Sequence, residues 1–242
     1  MMDMAFLYDT FVALLSGVPL TLNLTFVAFA IGTVLATLLA LMRMSRIKAL
    51  DAPARAYVFV LRGTPLLVQI FLIYYGLGQF RPTLQHLGLW QFFREPYWCA
   101  ILALALNSAA YGSEVVRGGL RSVPKREVEA ARACGMSGLL LFRRIVMPIA
   151  LRQALPAYGN ELILMVKATS LASIITLTEV TGIAAQLISS SYRPVEVFIA
   201  AGAIYLAINF SLTRAIAMLD WRLTPHLRGP AAATGKMEGG SA

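Results

Sequence analysis

Three ionisable side chains, Glu114, Glu161 and Lys167, fall inside stretches that are otherwise apolar. A charge held at mid-bilayer costs about 2.5–3.5 kcal/mol on insertion scales, so such groups persist where they pair, snorkel or line a polar route. Together with Asn107, Tyr111, Asn160 and Ser170 they form a candidate translocation path; Asn160 and Lys167, seven apart, share a helix face. Pairing is the competing account, because Glu114 and Glu161 sit near the ends of their segments, close to Arg117 and Arg152. Glu161 is expected to pair in this way, while Glu114 and Lys167 remain open between path and pairing.

Catalytic chemistry has no comparable foothold. The only two histidines are His86 and His226, and no nucleophile–base arrangement surrounds them. The two cysteines, Cys99 in an apolar span and Cys134 in a polar insertion, have neither disulfide nor metal spacing. There is no G-x-x-x-x-G-K-[ST] phosphate loop. Gly229 to Gly235-Lys236-Met237 comes nearest, but it has one residue too many and no hydroxyl after the lysine. No cofactor or metal is expected in this chain, and any nucleotide energy must come from another polypeptide.

The elements that position these residues are membrane spans. The 242 residues are 58% hydrophobic and only 14% charged, where soluble domains carry about a quarter charged residues. The start, Met1-Met2-Asp3-Met4, lacks a basic signal-peptide region, so the first span is expected to be retained. Five spans are expected: about 18–41, preceded by an interfacial lead-in at 6–15; about 57–80, with Pro65 inside; about 98–116; about 155–177; and about 197–219. Pro65 is tolerable inside a span only where a neighbouring group satisfies the carbonyl it frees. Small residues at four-residue spacing, Gly32/Ala36/Ala40 and Ala203/Ala207/Ser211/Ala215, form seams for close helix packing, within or between subunits. The fold class is therefore all-α and polytopic. Residues 1–225 make one transmembrane domain, and 226–242 a flexible Gly/Ala-rich tail.

The net charge of +9 does not indicate nucleic acid. Of the 21 Lys and Arg, only Arg81, Arg94 and Arg193 fall on the outer side when the N-terminus is placed outside, with Lys167 in the membrane. The positive-inside rule thus puts the C-terminus and the long polar insertion in the cytoplasm.

That insertion, about 122–148, is built as a knob. Pro124 opens a helix of about eleven residues, roughly 16 Å, and Gly135 closes it in the left-handed conformation. Ser137 is placed as the N-cap of a second short helix through Leu139–Phe142, with Arg143 and Arg144 at its negative end. Pro148 is expected to stop any smooth continuation.

The spacing Glu129-Ala130-Ala131, Gly135, Ile145 and Met147-Pro148 resembles the EAA loop of bacterial ABC importer permeases. Further stretches resemble the polar amino-acid permeases, of the histidine, arginine/ornithine and octopine/nopaline type. These are Arg62-Gly63-Thr64-Pro65 through Gln69, Asn107 through Tyr111, Ala154 through Tyr158, and Lys167 through Leu171. The resemblance implies a five-helix inner-membrane subunit and a coupling role for Glu129, Ala130, Ala131, Gly135, Ile145 and Pro148. Ala130 and Ala131 would keep the docking surface shallow. It also implies a dimer of ATP-binding subunits carrying ATP and Mg, a second permease (a homologous heterodimer favoured) and a periplasmic or tethered solute-binding protein. The rival is an ion-coupled secondary carrier using Glu114 and Lys167 as a relay, but no inverted repeat supports it.

Overall fold

Proline and glycine divide a chain that is helical from one break to the next. The computed structural model describes residues 4–223, so the expected tail at 226–242 lies outside it. Helix α1 (Met4–Leu15) and helix α2 (Val18–Met44) are separated only by Ser16 and Gly17. Helices α3 (Lys48–Gly63) and α4 (Leu66–Gln79) follow, then the short α5 (Arg81–His86) and α6 (Trp90–Phe93). The long α7 (Pro96–Arg121) returns across the bundle to the knob, made of α8 (Lys125–Ala133) and α9 (Gly138–Leu141). A π-helical turn (Phe142–Val146) leads into α10 (Met147–Ala168) and a 3-10 segment (Thr169–Ile175); α11 (Val180–Ser191) and α12 (Pro194–Leu223) complete the chain. No strand occurs among the described residues. Among the described residues, three helical stretches are long and apolar enough to span a membrane, or up to five if each of two bent pairs counts as one span.

Two expectations need correction. The second span is not one helix: α3 and α4 meet at 105°. Proline restricts the residue before it to extended conformations, and Thr64 is extended at φ −115°, ψ 144°. Pro148, in turn, does not interrupt the chain. It sits in the first turn of α10, which runs on directly from the π turn. In that turn the Met147 N–H bonds to the Phe142 carbonyl, five residues back. This wider ladder moves the preceding carbonyls away from where an α-helix would drive them into the proline ring. Arg143 and Arg144 consequently lie mid-helix rather than at a helix end.

Helix α7 is the centre of the bundle. Its small residues let α2 and α10 come close, and helices in lipid gain most from such van der Waals packing. A Cβ on Gly32 would come within 2.9 Å of Ser108 Oγ, and one on Gly119 within 2.7 Å of the Ala150 carbonyl. Gly32, Ala36 and Ala40 are buried, so the first seam is consumed inside the subunit. Ala203, Ala207, Ser211 and Ala215 are all exposed on α12. A second cluster, Leu14, Val180, Ala184, Val197 and Ile204, ties α1, α11 and α12 together.

Candidate functional site

The knob is shaped by local backbone physics. Helix α8 ends in a full Schellman motif: Met136 N–H bonds to the Ala131 carbonyl at 3.0 Å, and Gly135 N–H to Arg132 at 2.9 Å. Gly135 occupies φ +81°, a conformation glycine reaches without a side-chain penalty. Glu129 and Ala130 are exposed, whereas Ala131 is buried at 6% exposure and faces its own chain. Only Ala130 of the pair, then, shapes an outer surface. Ile145 is half-buried in the π turn and Pro148 half-buried behind it. Ser137 precedes α9 as placed, but its side chain makes no cap hydrogen bond. Glu129 borders a groove of about 350 Å³ with Lys125, Val128, Arg132 and Val146.

A second concavity opens between α4, α7 and α10. Its volume is about 240 Å³, and Leu66, Asn107, Ser108, Tyr111, Glu161 and Ala168 are on its wall. The α3–α4 break beside it is stitched by amides. Gln69 Nε2 donates to the Leu61 carbonyl at 2.8 Å, to Thr64 Oγ1 at 2.9 Å and to the Thr64 carbonyl at 3.1 Å. Asn107 Nδ2 donates to Gln69 Oε1 at 3.0 Å and to the Leu61 carbonyl at 3.4 Å. Asn107 thus lines the cavity and also secures the break. The Arg62 guanidinium lies 5.0 Å from the centre of the Tyr111 ring.

The remaining path candidates separate. Glu114 is not on the cavity wall; it pairs with Arg43 and Arg117, and Arg62 stands 3.8 Å away. That cluster joins α2, α3 and α7. Glu161 makes no ion pair with Arg152. It is half-buried, lines the cavity, and forms no hydrogen bond or salt bridge with another described residue. The Arg152 side chain is exposed more than two helical turns away along α10, beyond the reach of an i,i+4 pair. Asn160 and Lys167 are exposed outside the cavity wall, and Ser170 Oγ is spent on the Lys167 carbonyl at 2.7 Å.

Residues 9–225 match the family described as the inner membrane component of binding-protein-dependent transport systems. The chain belongs to that family. It is 63% identical to an octopine transport system permease of Rhizobium meliloti, over 93% of this chain and 92% of that one. Identity is 57% to a nopaline transport system permease of Agrobacterium fabrum, covering 94% of each. It is 39% to the histidine/lysine/arginine/ornithine permease of Escherichia coli K12, covering 88% and 90%. The crystal structure of an amino acid ABC transporter with histidines superposes at a TM-score of 0.81 and 35% identity, over 92% of this chain and 99% of that one. A methionine ABC transporter at TM-score 0.70 and 21% identity shares the fold. The chain is therefore an ABC-type transport permease of the inner membrane.

Two residues of this permease gave little sign of their importance in sequence. Glu179 is fully buried at the start of α11. Its carboxylate accepts from Gly182 N–H at 2.9 Å, Tyr205 O–H at 2.7 Å and Thr21 O–H at 3.4 Å, linking α2, α11 and α12. The available signal was a carboxylate directly before a helix and three residues ahead of a glycine N–H, an N-cap arrangement. Arg43 counts as a loop cation in a charge tally, but the fold turns it inward onto Glu114.

Proposed function

We propose that this permease imports basic amino acids or opines, taking their positive group on Glu161. The observation that carries this is the Glu161 carboxylate, the one acidic group on the wall of the 240 Å³ cavity and one without an ion-pair partner. A half-buried carboxylate gains most by meeting a cation there, since charge-assisted hydrogen bonds are about twice as strong as neutral ones. Leu66 also lines this cavity, and there α4 starts with no side chain capping its first N–H groups. A helix N-terminus attracts carboxylates, so the cavity is polarised to suit a solute with a carboxylate at one end and a cation at the other. The octopine, nopaline and histidine/lysine/arginine/ornithine systems of the relatives support that class.

The chain is itself a transport component, and ATP hydrolysis belongs to a separate dimer of ATP-binding subunits. ATP and Mg reside there. Closure of that dimer draws on the knob through Glu129, Ala130, Gly135, Ile145 and Pro148, with Ala131 holding the knob to its own chain. The movement passes through the continuous π turn and α10 to the wall that bears Glu161. A second permease, a homologue rather than an identical copy, closes the pathway, and a periplasmic or tethered solute-binding protein delivers the solute. The N-terminus lies outside; the knob and C-terminus are cytoplasmic.

Glu161→Gln tests this in the assembled complex. Uptake of labelled arginine and octopine should fall by about 10- to 100-fold, the equivalent of about 1.5–3 kcal/mol for a hydrogen bond to a charged group. The ATP-binding subunits should co-purify normally. Unchanged uptake would remove Glu161 from the path. Uptake that follows the proton gradient while ATP is held constant would remove the ATP-driven mechanism altogether.

A further inference from the structure

A second pocket, of about 470 Å³, lies between the end of the 3-10 segment and α11. Ser173, Thr176, Thr178, Gln186 and Ser189 supply its polar wall, and no charged residue lines it. The side chains of Thr176, Thr178, Gln186 and Ser189 make no hydrogen bond to another described residue. These four side chains are free for a solute, whereas Ser173 Oγ donates to the Ser170 carbonyl at 2.7 Å.

This polarity is built in two parts. Helix α11 turns Val180, Ala184, Ile183 and Leu187 onto the apolar cluster with α1 and α12. Its other face, Gly182, Ala185, Gln186 and Ser189, follows helical spacing and floors the pocket. Opposite, the chain reverses through Thr176 at φ +69°. A β-branched residue in that region is strained, and such strain gathers at functional segments. The reversal folds residue 177 so tightly over α11 that a Cβ on Gly182 would meet the Leu177 carbonyl at 2.1 Å.

One continuous helical run contributes to both pockets. Leu164 and Ala168 line the inner cavity and Ile174 the outer one. The 3-10 segment rises ~2 Å per residue, which sets Ala168 and Ile174 about 12 Å apart along the chain axis. Helix α10 leaves the knob and the 3-10 segment continues it, so the second pocket is at the end remote from the coupling surface.

We propose that this pocket is an outer receiving subsite, where a zwitterionic amino acid or opine rests between the solute-binding protein and the Glu161 cavity. The proposal rests on the importer function above. Neutral hydroxyl and amide groups suit such a station. A transit site must hold a solute firmly enough to accept it and weakly enough to pass it on. Hydroxyls and an amide serve both ends of a zwitterion, while the charge of Glu161 makes the inner site the tighter one.

The test uses the complete transporter in proteoliposomes, supplied with binding protein loaded with labelled arginine or octopine. The Thr178→Val/Gln186→Leu pair should lower the maximal uptake rate about fivefold or more, with an unchanged KM for loaded binding protein. Thr178→Ser/Gln186→Asn, which keeps the polar groups, should restore at least half of it. In a separate Ser189→Cys/Cys134→Ser protein, saturating arginine or octopine should slow labelling by a membrane-impermeant maleimide. Wild-type rates in the Val/Leu pair, a defect lying wholly in KM for the binding protein, or failure of the polar pair to restore transport would each overturn the subsite. So would maleimide labelling indifferent to both solutes. Absence of ATP-driven uptake by the wild-type complex would instead refute the importer function on which the subsite rests.

Discussion

Replacing Gln69 by Met tests how a broken helix survives inside a membrane. The break at Thr64–Pro65 leaves the Leu61 and Thr64 carbonyls without their helical donors, and one amide serves both, at 2.8 and 3.1 Å. Gln69 is 7% exposed, and its own oxygen is taken by Asn107. Met has similar volume, so no cavity arises and the loss is almost purely of hydrogen bonds. An amide NH₂ has two hydrogens, so its three contacts amount to two full bonds, each worth about 1 kcal/mol. The Asn107–Gln69 bond is lost as well, adding about 1 kcal/mol, whereas the Leu61 carbonyl keeps its 3.4 Å contact with Asn107 and the carbonyl of the exposed Thr64 can turn to water. The expected destabilisation is about 3 kcal/mol, or roughly 150-fold in the unfolding equilibrium at 1.4 kcal/mol per decade. Equilibrium unfolding of the purified permease in mixed micelles with increasing SDS measures it. Because Asn107 bonds to both Gln69 and Leu61, Gln69→Met/Asn107→Leu should cost about 1 kcal/mol less than the two single changes summed. A loss below about 0.5 kcal/mol in Gln69→Met would show that these carbonyls are satisfied another way, and the account of the break would fall.

Adjacent glycines on α7 should respond oppositely. Gly119→Ala drives a Cβ to 2.7 Å from the Ala150 carbonyl, against about 1–3 kcal/mol for overpacking, while Gly118→Ala meets nothing within 4 Å and should stabilise by about 0.5–1 kcal/mol; the same micelle titration separates them. Gly135→Ala also meets nothing within 4 Å, so its expected cost of about 1 kcal/mol comes only from the φ of +81°. That cost falls on the knob: co-purification of the ATP-binding subunits should drop while membrane insertion stays normal, and Gly135→Asn should do less harm. Glu179→Ala strands the Gly182 N–H and leaves the Tyr205 hydroxyl only Thr181 Oγ1 at 2.9 Å, and should lower stability by about 2–3 kcal/mol. Glu179→Gln, which keeps an acceptor, should recover part of that, and equal loss in both would argue for the charge rather than the hydrogen bonds.

Much of the architecture was legible because it follows from local physics. Spans are set by apolar length, and the turn of the knob by the freedom of Gly135 to adopt a left-handed backbone. That a proline within a span needs a donor for the freed carbonyl was equally clear from Pro65. Which donor supplies it was not, since Asn107 reaches Leu61 across 46 positions of sequence. The π turn was hidden for a related reason: a shift of hydrogen-bond register depends on the whole helix and leaves no mark in the preference of any single residue. Two seams with the same small-residue spacing had different fates, one buried against α7 and the other exposed on α12, because spacing specifies a surface and not what lies against it. The charges show the divide most sharply. Sequence alone determined that Glu114 and Glu161 sit inside apolar segments, while Glu179 stood out only as a carboxylate at the start of a short helix. Only the tertiary structure decided that the first is held by arginines from two other helices, the second lines a cavity without an ion pair, and the third caps a helix and is enclosed. A carboxylate's role in a membrane is fixed by the groups that folding brings within a few ångströms of it, and those come from distant parts of the chain.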